Sequence, residues 1–277
     1  MDKQPLVYEK IFEVSCIAKG VYRISEFGMA TCYLIIGNSS ALLIDTGYGA
    51  GNIRAVAEKL TNLPITIALT HAHPDHAGGA FYFDKVYLAK ADNNLFFKLL
   101  LTKPVRTRLL LSSPVSKTGL DKKSICKASA KTKFVPLEDG HIFDLGGKEI
   151  TAMLTPGHTK GSAVFIDKTA GVIFTGDNVN TGLWMFVPGG VSIEDWITAA
   201  GKIYEYTYSL APYGGHNDGV QKREDIAKLI EYAKELVAKT TKNKRLFKIC
   251  SYPQEGDIKI IYRADKVLSK AKRKQQQ

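Results

Sequence analysis

Five of the six histidines in this 277-residue chain fall in three short motifs, and that placement constrains the fold more than any other feature. The motifs are His71-Ala72-His73-Pro74-Asp75-His76, Thr155-Pro156-Gly157-His158-Thr159 and Gly215-His216-Asn217. A fourth, Phe174-Thr175-Gly176-Asp177, supplies a carboxylate after an apolar run. Each reads as a strand ending in a tight Gly- or Pro-containing turn from which a metal-seeking side chain projects. Rigid strands fix the backbone, and loop ends present the ligands. Imidazole nitrogen and carboxylate oxygen suit Zn, and also Fe or Mn. In His71-Ala72-His73 both imidazoles reach one face of an extended segment, because side chains repeat every second residue. The turn at Pro74 then lets Asp75 and His76 face a second ion. Any single histidine is more often a structural or surface residue, and His141 is left in that class. Burying five imidazoles and two carboxylates together without metal, however, strands several polar groups. The pattern therefore predicts two divalent metal ions, Zn first and Fe or Mn as alternatives, held by His71, His73, Asp75, His76, His158, Asp177 and His216.

Strand and helix patterns alternate around these motifs. Strand alternation covers Ile11 to Ile17, Val21 to Ser25, Thr31 to Ile36 and Ala41 to Ile44, with turn signals at Gly20, Gly28 and Gly37-Asn38. Asp45-Thr46-Gly47-Tyr48-Gly49 closes a strand, a helix pattern runs from about Asn52 to Leu60, and the short buried strand Pro64 to Leu69 leads into the first histidine motif. Later strands are expected at Val86 to Ala89, Thr132 to Val135, Lys148 to Leu154, Ala163 to Ile166, Val172 to Phe174, Leu246 to Cys250 and Ile258 to Tyr262. Helices are expected at about Asp92 to Leu101, Ile193 to Tyr208 and Lys222 to Lys239. The basic stretch beyond Leu101, with Pro104 and Pro114, shows little periodicity and reads as an insertion or lid.

Charge divides the chain in the same way. The formal charge is +11, yet Lys98 to Lys133 nets +9, Glu235 to Gln277 nets +8, and the remainder is −6. Basicity thus belongs to two segments, which can attract anionic substrates, nucleic acid or acidic surfaces, or serve solubility alone. The expected organisation is one domain over 1–277, with a basic lid-like insertion at about 98–133 and a basic tail at about 265–277, disordered from Lys270 to Gln277. Cys16, Cys32, Cys126 and Cys250 form no metal-binding spacing and read as reduced structural or surface thiols. No apolar run approaches the roughly 20 residues needed to span a bilayer. The first residues lack the pattern of a secretory signal. A cytoplasmic protein with no membrane partner is the expectation.

The chain resembles the metallo-β-lactamase superfamily, whose signature is HxHxDH followed by separate His, Asp and His motifs. The resemblance runs from about Tyr33 to His216, and the order of the motifs also matches. It implies an α/β fold, a four-layer αββα sandwich with the site at one edge of two facing sheets. By resemblance His71, His73 and His158 hold one metal, Asp75, His76 and His216 hold the other, and Asp177 bridges both. Asp45 matches the family's early strand-end aspartate, which supports the site from behind its ligands. Antibiotic-degrading members often lack an aspartate at the bridging position, whereas this chain has Asp177. Thioesterases resembling glyoxalase II share THxHxDHxGG, GHTxG and FTGD with it. The segment Asn178 to Gly190 does not look like theirs, and their long helical C-terminal domain has no clear counterpart. His73 stands where the oxygen-reducing flavo-di-iron relatives carry Glu, which argues against that branch.

Two adjacent divalent ions lower the pKa of a bridging water and polarise a scissile carbonyl or phosphoryl group. Asp75 or Asp177 is expected to steer the remaining proton. Leu183-Trp184-Met185-Phe186-Val187 follows Asp177 closely, so Trp184 and Phe186 are candidate pocket walls, with core packing as the competing reading. Tyr48 and Tyr213 are candidate proton donors or oxyanion contacts, and Tyr48 joins the expected pocket. The favoured function is hydrolysis of a small ester, thioester, lactone or amide by a metal-bridging hydroxide, on a substrate that carries negative charge. Phosphodiesterase or nuclease chemistry is the alternative, with nucleic acid a less favoured partner. A non-catalytic metal-binding protein is a third reading. Oligomeric state is left open.

Overall fold

The computed structural model describes residues 6–8, 10–117, 120–216, 219–243, 247–269 and 271. The expected strand start at Leu246, Asn217 of the third histidine motif, and tail residues 270 and 272–277 lie outside them.

The first sheet has eight strands in chain order: β1 (Leu6–Tyr8), β2 (Phe12–Ala18), β3 (Val21–Glu26), β4 (Ala30–Ile36), β5 (Ala41–Ile44), β6 (Ile65–Ala68), β7 (Lys85–Leu88) and β8 (Lys133–Pro136). It is antiparallel through β5 and parallel from β5 to β8. The second sheet uses β9 (Ile142–Asp144), β10 (Glu149–Leu154), β11 (Ala163–Asp167) and β12 (Val172–Gly176), with β14 (Ala211–Gly214) parallel to β12. A third, small sheet joins β13 (Gly182–Met185) to β16 (Lys259–Arg263) in parallel, with β15 (Ile249–Tyr252) antiparallel beside β16. The helices are α1 (Ile53–Leu60), α2 (Pro74–Ala77), α3 (Leu95–Leu100), α4 (Lys103–Leu111), α5 (Ile193–Tyr206) and α6 (Arg223–Lys239).

The layer order follows from strands that are apolar on both faces. In β4, Cys32 and Leu34 enter the core that includes Ile53, Val56 and Ala57 of α1, while Tyr33 and Ile35 face the second sheet. In β11, Ala163 and Phe165 meet the first sheet, while Val164 and Ile166 pack in the core with Trp196 and Ile203 of α5 and Leu229 of α6. One continuous run thus serves two cores because successive side chains alternate faces. The result is an αββα sandwich.

Two expectations need correction. The stretch after Leu101 contains α4, started by Pro104 in the first turn, where proline suits the helix. Its periodicity is faint because the buried stripe is only Arg106 and Leu110. The segment is also no free lid: Leu110, Val115 and Ile125 pack on Ala50 and Tyr48, and Arg106 is fully buried. The tail boundary at about 265 falls inside packed chain, since Val267 and Leu268 are buried and Asn243 Oδ1 accepts both of their N–H groups.

Candidate metal centre

The loops that leave β6, β10 and β12 and the turn after β14 meet at one edge of the sandwich and carry all seven expected ligands, and the loop after β5 brings Asp45 behind them. They form two groups, His71 with His73 and His158, and Asp75 with His76, Asp177 and His216. In the first, His71 Nε2 and His158 Nε2 lie 3.0 and 2.9 Å from His73 Nδ1. In the second, His216 Nε2 is 3.0 Å from Asp177 Oδ2 and 3.5 Å from Asp75 Oδ2, and His76 Nε2 is 3.4 Å from Asp177 Oδ1. Asp177 Oδ2 also lies 3.6 Å from His158 Nε2, so this carboxylate faces both groups.

The opposite nitrogen of every ring is spoken for. His71 Nδ1–H donates to Thr70 Oγ1 at 3.0 Å, and that hydroxyl gives its own proton to Asp45 Oδ2 at 2.7 Å. His76 Nδ1–H donates to Asp45 Oδ2 at 2.9 Å. His73 Nε2–H donates to the Pro188 carbonyl at 3.0 Å, His158 Nδ1–H to that of Trp184 at 2.7 Å, and His216 Nδ1–H to that of Met29 at 2.5 Å. Each acceptor takes the outward N–H, so a neutral ring presents its lone pair inward. Three lone pairs converging in the first group cannot hydrogen-bond one another. His76 Nε2 is likewise buried without a hydrogen-bond partner. A cation satisfies both, so the residues present fit a pair of metal ions.

Electrostatics differ between the groups. Burial, reinforced by the neighbouring imidazoles, holds His71 well below its ordinary pKa, and burial pushes His158 down to about 3. In the second group burial also opposes charge on the rings, but carboxylates outweigh it: Asp177, Asp75 and Asp45 hold His76 well above its ordinary value, and Asp177 and Asp75 raise His216 to about 9. Burial works against ionisation of Asp177 too, and His216 and His76 nevertheless hold it well below the usual carboxylate range.

The local backbone is shaped for this convergence. Asp45 adopts φ +62°, a left-handed conformation that costs a non-glycine residue free energy. From there its Oδ1 accepts Thr70 N–H at 2.7 Å. Gly215 is a spatial necessity, because a Cβ there would stand 2.5 Å from Asp177 Oδ1 and from His76 Cε1.

Several supporting residues carry no sequence signal. Asp92 is fully buried and ties two ligand loops together, accepting Ala72 N–H at 3.1 Å, Thr159 Oγ1–H at 2.8 Å and Gly161 N–H at 2.9 Å. Asn178 accepts His158 N–H at 2.8 Å and donates to the Thr155 carbonyl at 2.7 Å. Asn180 Nδ2–H donates to Asp177 Oδ1 at 3.1 Å. Glu26 accepts N–H groups from Tyr48 and Ala50, while Arg106 donates to the Tyr48 and Cys126 carbonyls at 2.7 and 2.6 Å, so the loop bearing Tyr48 is held from both sides.

The expected pocket residues divide. Tyr48 stands in the electrostatic reach of Asp75 and Asp177, and burial raises its pKa. Trp184 contributes its carbonyl to His158 while its ring, 52% exposed, stacks on Phe186 at 5.2 Å. The ring against His73, at 5.7 Å, is Phe97 of α3. Tyr213 packs with Tyr33 and Phe174 between the sheets, and His141 packs on Tyr87 and Phe143, so neither joins the ligands.

Comparison with known proteins agrees with this geometry. The sequence profile of the metallo-beta-lactamase superfamily matches residues 25–220. The acyl-coenzyme A thioesterase MBLAC2 of Homo sapiens is 29% identical over 189 residues, covering 61% of this chain and 61% of that protein. This chain thus spans about three-fifths of that relative's length. The probable polyketide biosynthesis zinc-dependent hydrolase BaeB of Bacillus velezensis is 27% identical over 215 residues, covering 72% of this chain and 78% of that protein. Among solved structures, a metallo-beta-lactamase from Pontibacter korlensis superposes with a TM-score of 0.57 at 16% identity, covering 79% of this chain and 99% of that one.

Proposed function

This chain belongs to the metallo-β-lactamase superfamily, and on that premise we propose that it is a binuclear metal-dependent hydrolase of acyl compounds, thioesters foremost. The observation that carries the reading is the orientation of the five imidazoles, each with one nitrogen occupied by a protein acceptor and the other aimed inward. His71, His73 and His158 would hold one ion, Asp75, His76 and His216 the other, and Asp177, which faces both groups, would be shared between them. When bound, such a pair supplies a nucleophilic water near neutral pH and polarises the acyl carbonyl. Asp75, 18% exposed against 9% for Asp177, is the carboxylate open to the cleft. It takes the proton of the attacking water, and the departing thiolate recovers that proton as the carbon–sulfur bond breaks. The names of the relatives support a thioester: one is an acyl-coenzyme A thioesterase, another a zinc-dependent hydrolase.

Phe97 against His73, with Trp184 and Phe186 beyond, supplies apolar wall for the acyl portion. Segment 98–133 rims that cleft within a single domain and biases it toward anionic substrates. Metal analysis combined with a panel of ester, thioester, lactone and phosphodiester substrates tests the reading. Two metal equivalents and a preference for thioester or ester are expected. Turnover confined to phosphodiesters, or no turnover by fully metal-loaded protein, overturns it.

A further inference from the structure

α3 turns an apolar face outward beside the metal centre. Leu95, Phe96 and Leu99 are 73%, 44% and 56% exposed. At 100° per residue they share one arc of the helix, and Phe97, on the opposite side, is buried against His73. Lys98 is exposed at the margin of that arc. In the adjoining α4, Arg108 is exposed, and Leu109 and Leu111 are exposed on either side of the buried Leu110. A cavity of about 370 Å³ is lined by both Lys98 and Ala128 to Ala130, which brings the exposed Lys127 and Lys131 to the neighbourhood of α3.

Single exposed apolar residues are ordinary, but three large ones on one arc of α3 form a patch that asks for a partner. The charge of the surrounding segment, net +9 over 98–133, decides which. A second copy of the same face would bring like charges together. Nucleic acid would use the lysines but would leave the leucines in water. An anionic lipid surface uses both: leucine and phenylalanine enter the acyl boundary while lysine stems lie along it and ammonium groups reach the phosphates. A helix that lies on a bilayer needs no span, so the absence of any long apolar helix among the described residues bears only on crossing.

We propose that the exposed face of α3 and the basic residues around it form a docking surface for anionic bilayers, on the side of α3 that faces away from His73. This holds whatever bond the site cleaves. Flotation of the full chain with vesicles of phosphatidylcholine alone, or with about a third phosphatidylglycerol, reads it directly. Binding is expected only to the anionic vesicles and should weaken steeply between low and high salt, as charge screening shortens. Leu95→Ser with Phe96→Ser and Leu99→Ser, all at exposed positions, should lower partitioning at least roughly tenfold at unchanged metal content and circular dichroism. Lys98→Gln with Lys127→Gln and Lys131→Gln should lower it by about fivefold per lysine, roughly a hundredfold together. Four outcomes overturn the proposal: equal binding to both vesicles, no binding, serine variants that bind as the parent does, or a patch used instead for a concentration-dependent dimer or an RNA oligonucleotide.

Discussion

The two ligand groups sit side by side yet solve opposite electrostatic problems. His71, His73 and His158 are buried against one another, and burial holds His71 well below its ordinary pKa and His158 at about 3. Asp75, His76, Asp177 and His216 neutralise one another, and His216 is raised to about 9. The first group has nothing but lone pairs to offer and stays incomplete without a cation. The second can satisfy itself with protons, which a metal must displace. Two groups built from similar residues therefore differ in how much each would depend on a bound cation, and Asp177 faces both.

Metal removal gives the largest effect. Chelation should abolish turnover and lower thermal stability, because an ion at about a thousand times its Kd stabilises the folded state by about 4 kcal/mol. Calorimetric titration should resolve two steps, the second group releasing its ion first. A single step for both ions would erase the distinction between the groups. Next comes Asp177→Asn, which keeps the size and removes the shared charge. Turnover should fall on the order of 10²–10³-fold, the scale of losing one electrostatic contact to the reacting atoms, with the first ion retained. A variant with both ions and full turnover would show that Asp177 does not join the groups.

Glu26 tests the loop that flanks the second group. Burial raises its carboxyl from 4.5 to about 7, against the N–H groups of Tyr48, Ala50 and Gly51. A raised carboxyl binds its proton more tightly when folded, so its contribution is full below the unfolded pKa and is lost as pH rises through the folded one. Wild type should therefore lose about 3 kcal/mol relative to Glu26→Gln between pH 4.5 and 8 in urea unfolding. A difference that does not change with pH would mean that the carboxyl titrates alike in the folded and unfolded chain.

Smallest are the supports behind the ligands. Asp45→Asn weakens contacts to His76 and, through Thr70, to His71, so both ions should bind about 10–100-fold more weakly. Asp92→Asn loosens Ala72, between His71 and His73, and Thr159 and Gly161, just beyond His158, so the first ion should weaken by about tenfold and the second by less. If Asp92→Asn weakens the second ion equally, the groups are not separate units.

What the sequence made legible followed from local chemistry. The histidine motifs, the apolar strands and the amphipathic α5 and α6 each announce themselves within a few residues. What escaped depends on partners distant in the chain. Asp92 looks like an ordinary residue ahead of a helix and was expected inside one. It turns inward instead, and α3 begins three residues later at Leu95. Arg106 reads as a surface cation in a basic run, and only the carbonyls of Leu101, Tyr48 and Cys126 make it a buried clamp. β13 was expected as an apolar stripe facing a pocket, and its strand character comes from β16, near the other end of the chain.

That last pairing sets the limits of a portable catalytic unit. β16 aligns with β13 residue for residue, Ile261 opposite Trp184, and the Trp184 carbonyl is what aims His158. By the proposed assignment the final ligand is His216, so a graft ending there would carry every proposed ligand and still lack the brace behind one of them. Transplanting the site into another scaffold means moving β16 as well, through Arg263, a strand that holds none of the proposed ligands.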